Sequence, residues 1–104
     1  MKEFKVIIEN QARQDILSIR RYISKELKEP IVAKRIYESI KTEIKTLHRS
    51  PLRHPVVSEE PYSFFGLRIL IVENYIAFYL TDTQKNEVRI IRVLYNRREW
   101  QKLL

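Results

Sequence analysis

Apolar positions in the first half of the chain follow two helical patterns after a short strand. Residues 4–8 are rich in β-branched side chains, which predicts a strand. Between residues 12 and 27, apolar side chains recur every three or four positions, which predicts an amphipathic helix that Asn10 can cap. A second such pattern at 33–47 follows Pro30, whose missing N–H suits a first helical turn. The short link between the two patterns predicts an antiparallel helical hairpin.

The second half of the chain reads as a loop followed by strands. Residues 51–66 contain three prolines and little periodicity, which indicates a loop long enough to have a functional or wrapping role. Short polar links separate three strand-like runs at 67–72, 75–81 and 87–95, so we expect two hairpins. The last run is apolar on both faces, which is typical of a central strand covered on both sides. A short helix is expected over 97–104.

The order of these elements is β-α-α-β-β-β-α. It predicts an α+β fold in which an antiparallel sheet packs against an α-helical hairpin. The chain of 104 residues contains no linker, so we expect a single domain spanning residues 1–104. Hydrophobic residues make up 44% of the chain and charged residues 32%, a balance typical of folded proteins.

Composition excludes several classes of chemistry. Gly66 is the only glycine, so neither a P-loop nor a dinucleotide-binding fingerprint can be built. Cysteine is absent, which excludes disulfides, thiolate zinc sites and cysteine nucleophiles. His48 and His54 do not have the spacing of metal ligands, and we expect no metal or cofactor. Apolar runs are too short for a signal peptide or a membrane span, which predicts a soluble, cytoplasmic protein that does not associate with a membrane.

The charge of the chain points to an anionic partner. The formal net charge is +7, from 20 Lys and Arg against 13 Asp and Glu, and such a domain attracts nucleic acid, the ribosome or an acidic protein. Arginine binds phosphate through two parallel N–H donors, so a C-terminal group of cations is the best candidate anion site. The alternative is that these side chains pair with carboxylates or extend into solvent. The group comprises Arg89, Arg92, Arg97, Arg98 and Lys102.

Aromatic residues form a second set of candidates. Tyr62, Phe64 and Phe65 lie within four positions of the loop, where they can form a contact patch for a target or plug the end of the sheet. Tyr95 is either an aromatic member of a site or a core residue at the end of a strand. Trp100 is expected to anchor the C-terminal segment by packing.

Several motifs, in this order along a short basic chain, resemble the RelE/ParE family of toxins from bacterial type II toxin–antitoxin systems. The resemblance covers nearly the whole chain, and its most specific part is the ending, which is similar to the family pattern I-x-R-V-x-x-x-R-R-x-W. It implies a protein that arrests growth and that a cognate acidic antitoxin neutralises. The motifs are Lys5-Val-Ile-Ile8, Gly66-Leu-Arg68, Asn74-Tyr75 before Phe78-Tyr79, and Ile91-Arg-Val-Leu-Tyr-Asn-Arg-Arg-Glu-Trp100.

The family has two branches with different targets. ParE-like members inhibit DNA gyrase, and the long helical hairpin and the Arg-Arg-x-Trp ending favour this branch. RelE-like members are ribosome-dependent mRNA endoribonucleases that need no metal. For that alternative, the resemblance places catalysis on Arg68, Tyr95 and Arg97, although Ile76 stands where those enzymes have an arginine. Whether the chain is an enzyme therefore depends on the branch. A third hypothesis is a basic domain that only binds nucleic acid, or a relic of a toxin without activity.

Overall fold

The computed structural model describes residues 3–96 and 100–104. In this part of the chain, two helices and a four-stranded sheet follow the predicted order. The strands lie in the order β1-β4-β3-β2 across the sheet. The elements are β1 (Lys5–Ile8), α1 (Asn10–Arg21), α2 (Pro30–Lys45), β2 (Arg68–Val72), β3 (Tyr75–Asp82) and β4 (Glu87–Tyr95).

Two tight turns make β2, β3 and β4 antiparallel. The predicted two-residue link joins β2 to β3, and Glu73 in it has a positive φ of 54°. In the turn between β3 and β4, an oxygen of the Asp82 carboxylate accepts the backbone N–H groups of Gln84 and Lys85, both at 3.0 Å. Such local bonds are the reason that aspartate favours turns. Both predicted hairpins are confirmed.

The sheet is mixed rather than wholly antiparallel, because β1 pairs with β4 in parallel. Lys5 lies opposite Glu87, and Ile8 lies opposite Ile90. Hairpin turns fix the direction of a strand relative to its neighbour, whereas β1 reaches β4 only through the helices and two other strands. The expectation of an antiparallel sheet was therefore wrong for this one strand.

The helical hairpin has an irregular first arm. After α1, the chain makes one π-helical turn over Tyr22–Glu26, and Lys28 then adopts a left-handed conformation with φ 55° that ends the arm. Pro30 begins α2, as predicted from its fixed φ and missing N–H. Asn10 is the first residue of α1 rather than its cap, and Glu9 precedes it without a side-chain capping bond.

The two faces of the sheet are covered by different parts of the chain. A helix-side cluster packs the hairpin against the sheet, and a loop-side cluster covers the other face beneath residues 51–66 and Trp100. The predicted placement of β4 as a central strand covered on both sides is confirmed. Buried members of the helix-side cluster include Ala12, Ile16, Ile40, Ile44, Tyr79, Val88, Ile90 and Val93, and those of the loop-side cluster are Val57, Leu67, Ile76, Phe78 and Leu94.

The C-terminal helix expected over 97–104 is only partly within the described residues. Residues 100–102 form a single 3₁₀ turn, whereas residues 97–99 lie outside the described part of the chain. Trp100 packs against Phe78, with ring centroids 4.8 Å apart, which confirms its expected role as an anchor. No helix among the described residues is long and apolar enough to cross a membrane.

Candidate functional site

Arg89 lies on β4 with two carboxylates beside its guanidinium group. It donates to Glu9 at 2.7 Å and to Glu87 at 3.3 Å. The hydrogen bond to Glu9 is the largest cause of a raised pKa for Arg89, and the charges of both carboxylates add to it. The structure therefore places this predicted anion-binding residue in an exposed ion pair at the edge between β1 and β4.

Arg92 connects β4 to α1 and to the C-terminal segment. Its Nε and Nη2 donate to the Asp15 carboxylate at 2.8 and 3.1 Å, and its Nη1 donates to the Leu103 carbonyl at 2.6 Å. Bonding to Asp15 raises the pKa of Arg92. The same carboxylate accepts a hydrogen bond from the backbone N–H of Val93 at 3.0 Å. The pairing of β4 with β1 ends at Ile90, so Val93 lies beyond the part of β4 that β1 covers. Asp15 thus closes a sheet edge that β1 is too short to cover.

The remaining predicted anion-binding residues belong to the C-terminal segment. Lys102 lies on the 3₁₀ turn with its side chain exposed. Arg97 and Arg98 lie outside the described residues. Within the described part of the chain, Arg89 and Arg92 are therefore paired with carboxylates.

Arg68 and Tyr95 lie well apart on the sheet. Arg68 is opposite Tyr79 on β3, whereas Tyr95 is opposite Tyr75. Those positions are four residues apart on β3, roughly 13 Å at about 3.3 Å per residue. Arg68 also donates to the carbonyl of Leu52 at 3.2 Å and to that of His54. The fold does not bring these two candidate catalytic residues together, and the third, Arg97, lies outside the described residues.

The start of the 51–66 loop is fixed to the helix-side cluster. The buried hydroxyl of Tyr79 donates to the Pro51 carbonyl, and burial raises the pKa of Tyr79 to about 12. The His54 ring stands edge-on to Tyr79, 6.4 Å between centroids, and burial is the largest cause of its lowered pKa. Further along, the Val57 N–H donates to the Leu67 carbonyl at 2.8 Å. The loop is thus attached to the sheet at both ends.

The aromatic residues of the loop divide between two roles. Tyr62 contacts Trp100, with centroids 5.9 Å apart, so it covers the loop-side cluster. Phe64 and Phe65 are 81% and 64% exposed, and their rings meet edge to face at 5.5 Å. Tyr62 therefore plugs the end of the sheet, whereas the phenylalanines form an exposed aromatic surface whose contact with a target stays a prediction.

A second candidate surface, which we call the tyrosine groove, lies between the turn of the helical hairpin and the ends of β3 and β4. It encloses about 660 Å³, within the range of ligand and side-chain pockets. Burial, followed by the proximity of Tyr95, Glu73 and Tyr22, raises the pKa of Tyr75. Its lining includes Ile19, Tyr22, Ile23, Leu27, Val32, Ile36, Tyr75 and Tyr95.

Sequence reasoning missed the tyrosine groove for a physical reason. Tyr22 and Leu27 fit the apolar stripe of a regular helix, but the π-helical turn leaves them 56% and 52% exposed. The available signal was the concentration of large apolar residues around the hairpin turn, among them Tyr22, Leu27 and Ile31.

Comparison with known proteins identifies the family. Residues 6–100 match the profile of the family described as the ParE toxin of the type II toxin–antitoxin system parDE. The chain belongs to the ParE toxin family. It is therefore a toxin of the type II toxin–antitoxin class. No curated protein sequence is significantly similar to it.

Solved toxin–antitoxin structures share the fold of this toxin. A chain of the chromosomal ParDE system of P. aeruginosa superimposes with a TM-score of 0.74 at 19% identity, covering 91% of this chain and 98% of that one. A chain of the RelBE2 complex from Mycobacterium tuberculosis gives 0.62 at 20% identity, covering 89% and 98%. A chain of the archaeal RelE–RelB complex from Pyrococcus horikoshii OT3 gives 0.64 at 15% identity, covering 92% and 98%. These similarities confirm the predicted α+β fold.

Proposed function

We propose that this toxin arrests bacterial growth by inhibiting DNA gyrase, and that a cognate antitoxin neutralises it. The observation that carries the proposal is the match to the ParE family over residues 6–100. The higher TM-score with the ParDE chain, 0.74 against 0.62 and 0.64 for the RelE-type chains, supports the same branch. The proposal implies action in the cytoplasm and no catalysis by the toxin.

The geometry supports gyrase inhibition over mRNA cleavage. Cleavage would need a base, an acid and a stabilising cation around one phosphate. Arg68 and Tyr95 lie on different strands at positions roughly 13 Å apart along the sheet, at about 3.3 Å per residue, and Arg68 is bonded to loop carbonyls. Ile76 is 3% exposed within the loop-side cluster, so that position offers no cation to a substrate.

For the target contact, we propose the C-terminal segment with Arg97, Arg98 and Lys102. Arg92 supports this placement because it donates to the Leu103 carbonyl while its charge is matched by Asp15. In this proposal Arg92 is a positioning residue that holds the segment against the end of β4. Arg89 is paired with Glu9 and Glu87, so its charge is balanced and we do not include it in the target contact.

The partner that we propose is an acidic, partly disordered antitoxin segment that lies along the hairpin and the sheet and covers the C-terminal cations. The structural neighbours come from ParDE and RelBE toxin–antitoxin systems, which supports such a partner. The tyrosine groove has apolar walls that can accept side chains from one face of an amphipathic helix. The basic net charge of the toxin, +7, favours an acidic partner.

The test is a DNA supercoiling assay with purified gyrase and toxin, together with controlled expression followed by labelled-precursor uptake. We expect supercoiling to stop and DNA synthesis to fall before protein synthesis. The variant Arg97→Glu/Arg98→Glu should lose inhibition, whereas Lys5→Glu/Lys85→Glu, the same charge change at the other end of the sheet, should keep it. Protein synthesis that stops first, with mRNA cut on ribosomes and gyrase unaffected, would establish the endoribonuclease alternative instead.

A further inference from the structure

The outer side of the helical hairpin carries a row of cations that the sequence did not single out, here called the hairpin stripe: Arg13 and Arg20 on α1, and Lys34, Lys41 and Lys45 on α2. Residues seven or four apart lie on the same side of a helix, so each set forms one line.

Contacts around Tyr37 join the two lines into one surface. The Arg20 guanidinium lies 4.7 Å from the centroid of the Tyr37 ring, and the Lys41 ammonium lies 5.7 Å from it. A small groove of about 150 Å³ at this surface is lined in part by Arg13, Leu17, Tyr37 and Lys41. Cation–π contacts hold Arg20 and Lys41 in place, which reduces the entropy that they lose when they bind an anion.

Within the described residues no ion pair holds the cations of the hairpin stripe, although the exposed Glu38 lies on the same line of α2, between Lys34 and Lys41, and lowers the net charge of the stripe from five to four. The two acidic groups closest in sequence to Arg13 are engaged elsewhere, because Glu9 pairs with Arg89 and Asp15 with Arg92. By pairing with the acidic groups near α1, the arginines of β4 leave the hairpin cations available.

The shape of the hairpin stripe suits a rigid polyanion. Lys34 and Lys45 are separated by roughly 16 Å along α2, at about 1.5 Å per residue. The two lines of cations lie on packed helices, whose axes are typically about 8–10 Å apart. Duplex DNA carries one charge per about 1.7 Å of its axis, so a duplex segment of that length offers more phosphates than there are cations.

Two features favour a duplex over the other polyanions. Single strands are held largely by bases that stack on open aromatic faces, but the Tyr37 ring already has Arg20 and Lys41 over it. A protein helix would need a long apolar groove, whereas the groove at this surface encloses only about 150 Å³. We propose that the hairpin stripe binds the phosphate backbone of duplex DNA, independently of base sequence. This activity goes beyond gyrase inhibition, since it needs neither gyrase nor antitoxin.

The experiment is fluorescence anisotropy of a short labelled duplex with the purified toxin over a series of salt concentrations. Each phosphate contact contributes a slope of about −0.9 to the plot of log Kobs against log salt, so five contacts give about −4.5. The variant Lys34→Gln/Lys41→Gln/Lys45→Gln should reduce the slope to about −2 and weaken binding at low salt by at least tenfold. The matched control Lys25→Gln/Lys28→Gln/Lys85→Gln removes the same charge from exposed sites outside the stripe and should keep the wild-type slope.

Several outcomes would overturn the proposal. An equal loss in the control variant would mean that net charge alone attracts DNA. Tighter binding to a single strand, to an RNA duplex or to polyglutamate, with the same dependence on the stripe, would assign the surface to that ligand. Both variants are first compared by thermal unfolding, so that a folding defect is recognised. Gyrase inhibition is measured in parallel, because the stripe variant should lose DNA binding whether or not the toxin inhibits gyrase.

Discussion

Asp15 and Tyr79 are single side chains that each join parts of the toxin far apart in sequence. The Asp15 carboxylate accepts three hydrogen bonds from Arg92 and Val93, which lie 77 and 78 residues further along the chain. The Tyr79 hydroxyl reaches the carbonyl of Pro51, 28 residues away. Removing either group leaves a partner that water reaches poorly, so we expect clear losses of stability.

Substitution of Asp15 tests whether its carboxylate stabilises the sheet edge. Asp15→Ala should lower the free energy of unfolding by about 2–3 kcal/mol, because the Arg92 guanidinium and the Val93 N–H lose their acceptor. Asp15→Asn keeps one acceptor oxygen and should lose less. Urea unfolding measures the stability of both Asp15 variants. Glu9→Ala is the control, because it removes an exposed ion pair that we expect to contribute less than about 1 kcal/mol. Equal losses for Asp15→Ala and Glu9→Ala would contradict the edge-closing role.

Tyr79→Phe tests how the loop is fixed to the sheet. Loss of the hydroxyl leaves the Pro51 carbonyl unpaired, and we expect a loss of about 1–2 kcal/mol at neutral pH. The pKa of about 12 in the folded state lies above the ordinary tyrosine pKa of 10.0. Above pH 10 the unfolded chain therefore loses this proton first, and the wild type loses stability as pH rises towards 12.

Urea unfolding of wild type and Tyr79→Phe at pH values from 7 to about 11 provides the comparison. The variant should lack the alkaline loss that Tyr79 contributes, so the two stabilities should converge as pH rises. A difference that stays constant across that range would mean that the hydroxyl titrates normally in the folded state.

At the scale of elements, sequence patterns predicted the helices and strands well because burial follows their periodicity. They failed where local geometry departs from the regular repeat. The helix-side cluster contains three residues of β4, namely Val88, Ile90 and Val93. Val88 and Ile90 are two positions apart, as alternation requires, but Ile90 and Val93 are three apart. Ile91 has no partner across the strand, where β3 and β4 shift register, so a bulge changes which side chains face the helices. Strict alternation cannot foresee a bulge.

The 51–66 loop contacts the C-terminal turn through only some of the aromatic residues in these two segments. We therefore expect substitutions of these aromatic residues to differ in their effect on the free energy of unfolding. Trp100→Ala should lower the free energy of unfolding by about 2 kcal/mol, because the ring packs against Phe78 and Tyr62. Phe64→Ala and Phe65→Ala, at exposed positions, should change it by less than about 0.5 kcal/mol. Thermal and urea unfolding measure both. Losses of similar size in all three variants would mean that the phenylalanines are part of the core.

At the scale of the whole molecule, the sequence predicted the basic character but not where the charge is available. The candidate anion site was placed on the cations between Arg89 and Lys102 because they are dense in sequence. The fold brings Glu9 and Asp15 from the start of the chain to Arg89 and Arg92. Those pairings join residues 80 and 77 positions apart, which no local pattern reveals. The hairpin stripe went unnoticed because its members belong to two helices.

Charge reversal at the C-terminal segment tests how an antitoxin would silence the toxin. Arg97→Glu/Arg98→Glu should weaken the toxin–antitoxin complex by at least tenfold at low salt, because an acidic partner loses its electrostatic complement. Lys5→Glu/Lys85→Glu provides the matched control, and titration calorimetry gives both affinities. An unchanged affinity for the first variant at low salt would show that the antitoxin does not cover this segment.

The parallel pairing of β1 with β4 also determines when the sheet can be completed during translation. The strand β1 pairs with residues Glu87 to Ile90 of β4. It therefore leaves the ribosome long before its neighbouring strand has been synthesised. Contacts between distant positions form slowly, because a long loop must close first. During synthesis the helical hairpin therefore has no completed sheet against which to bury its apolar side. The nascent toxin cannot complete its fold until β4 has been translated.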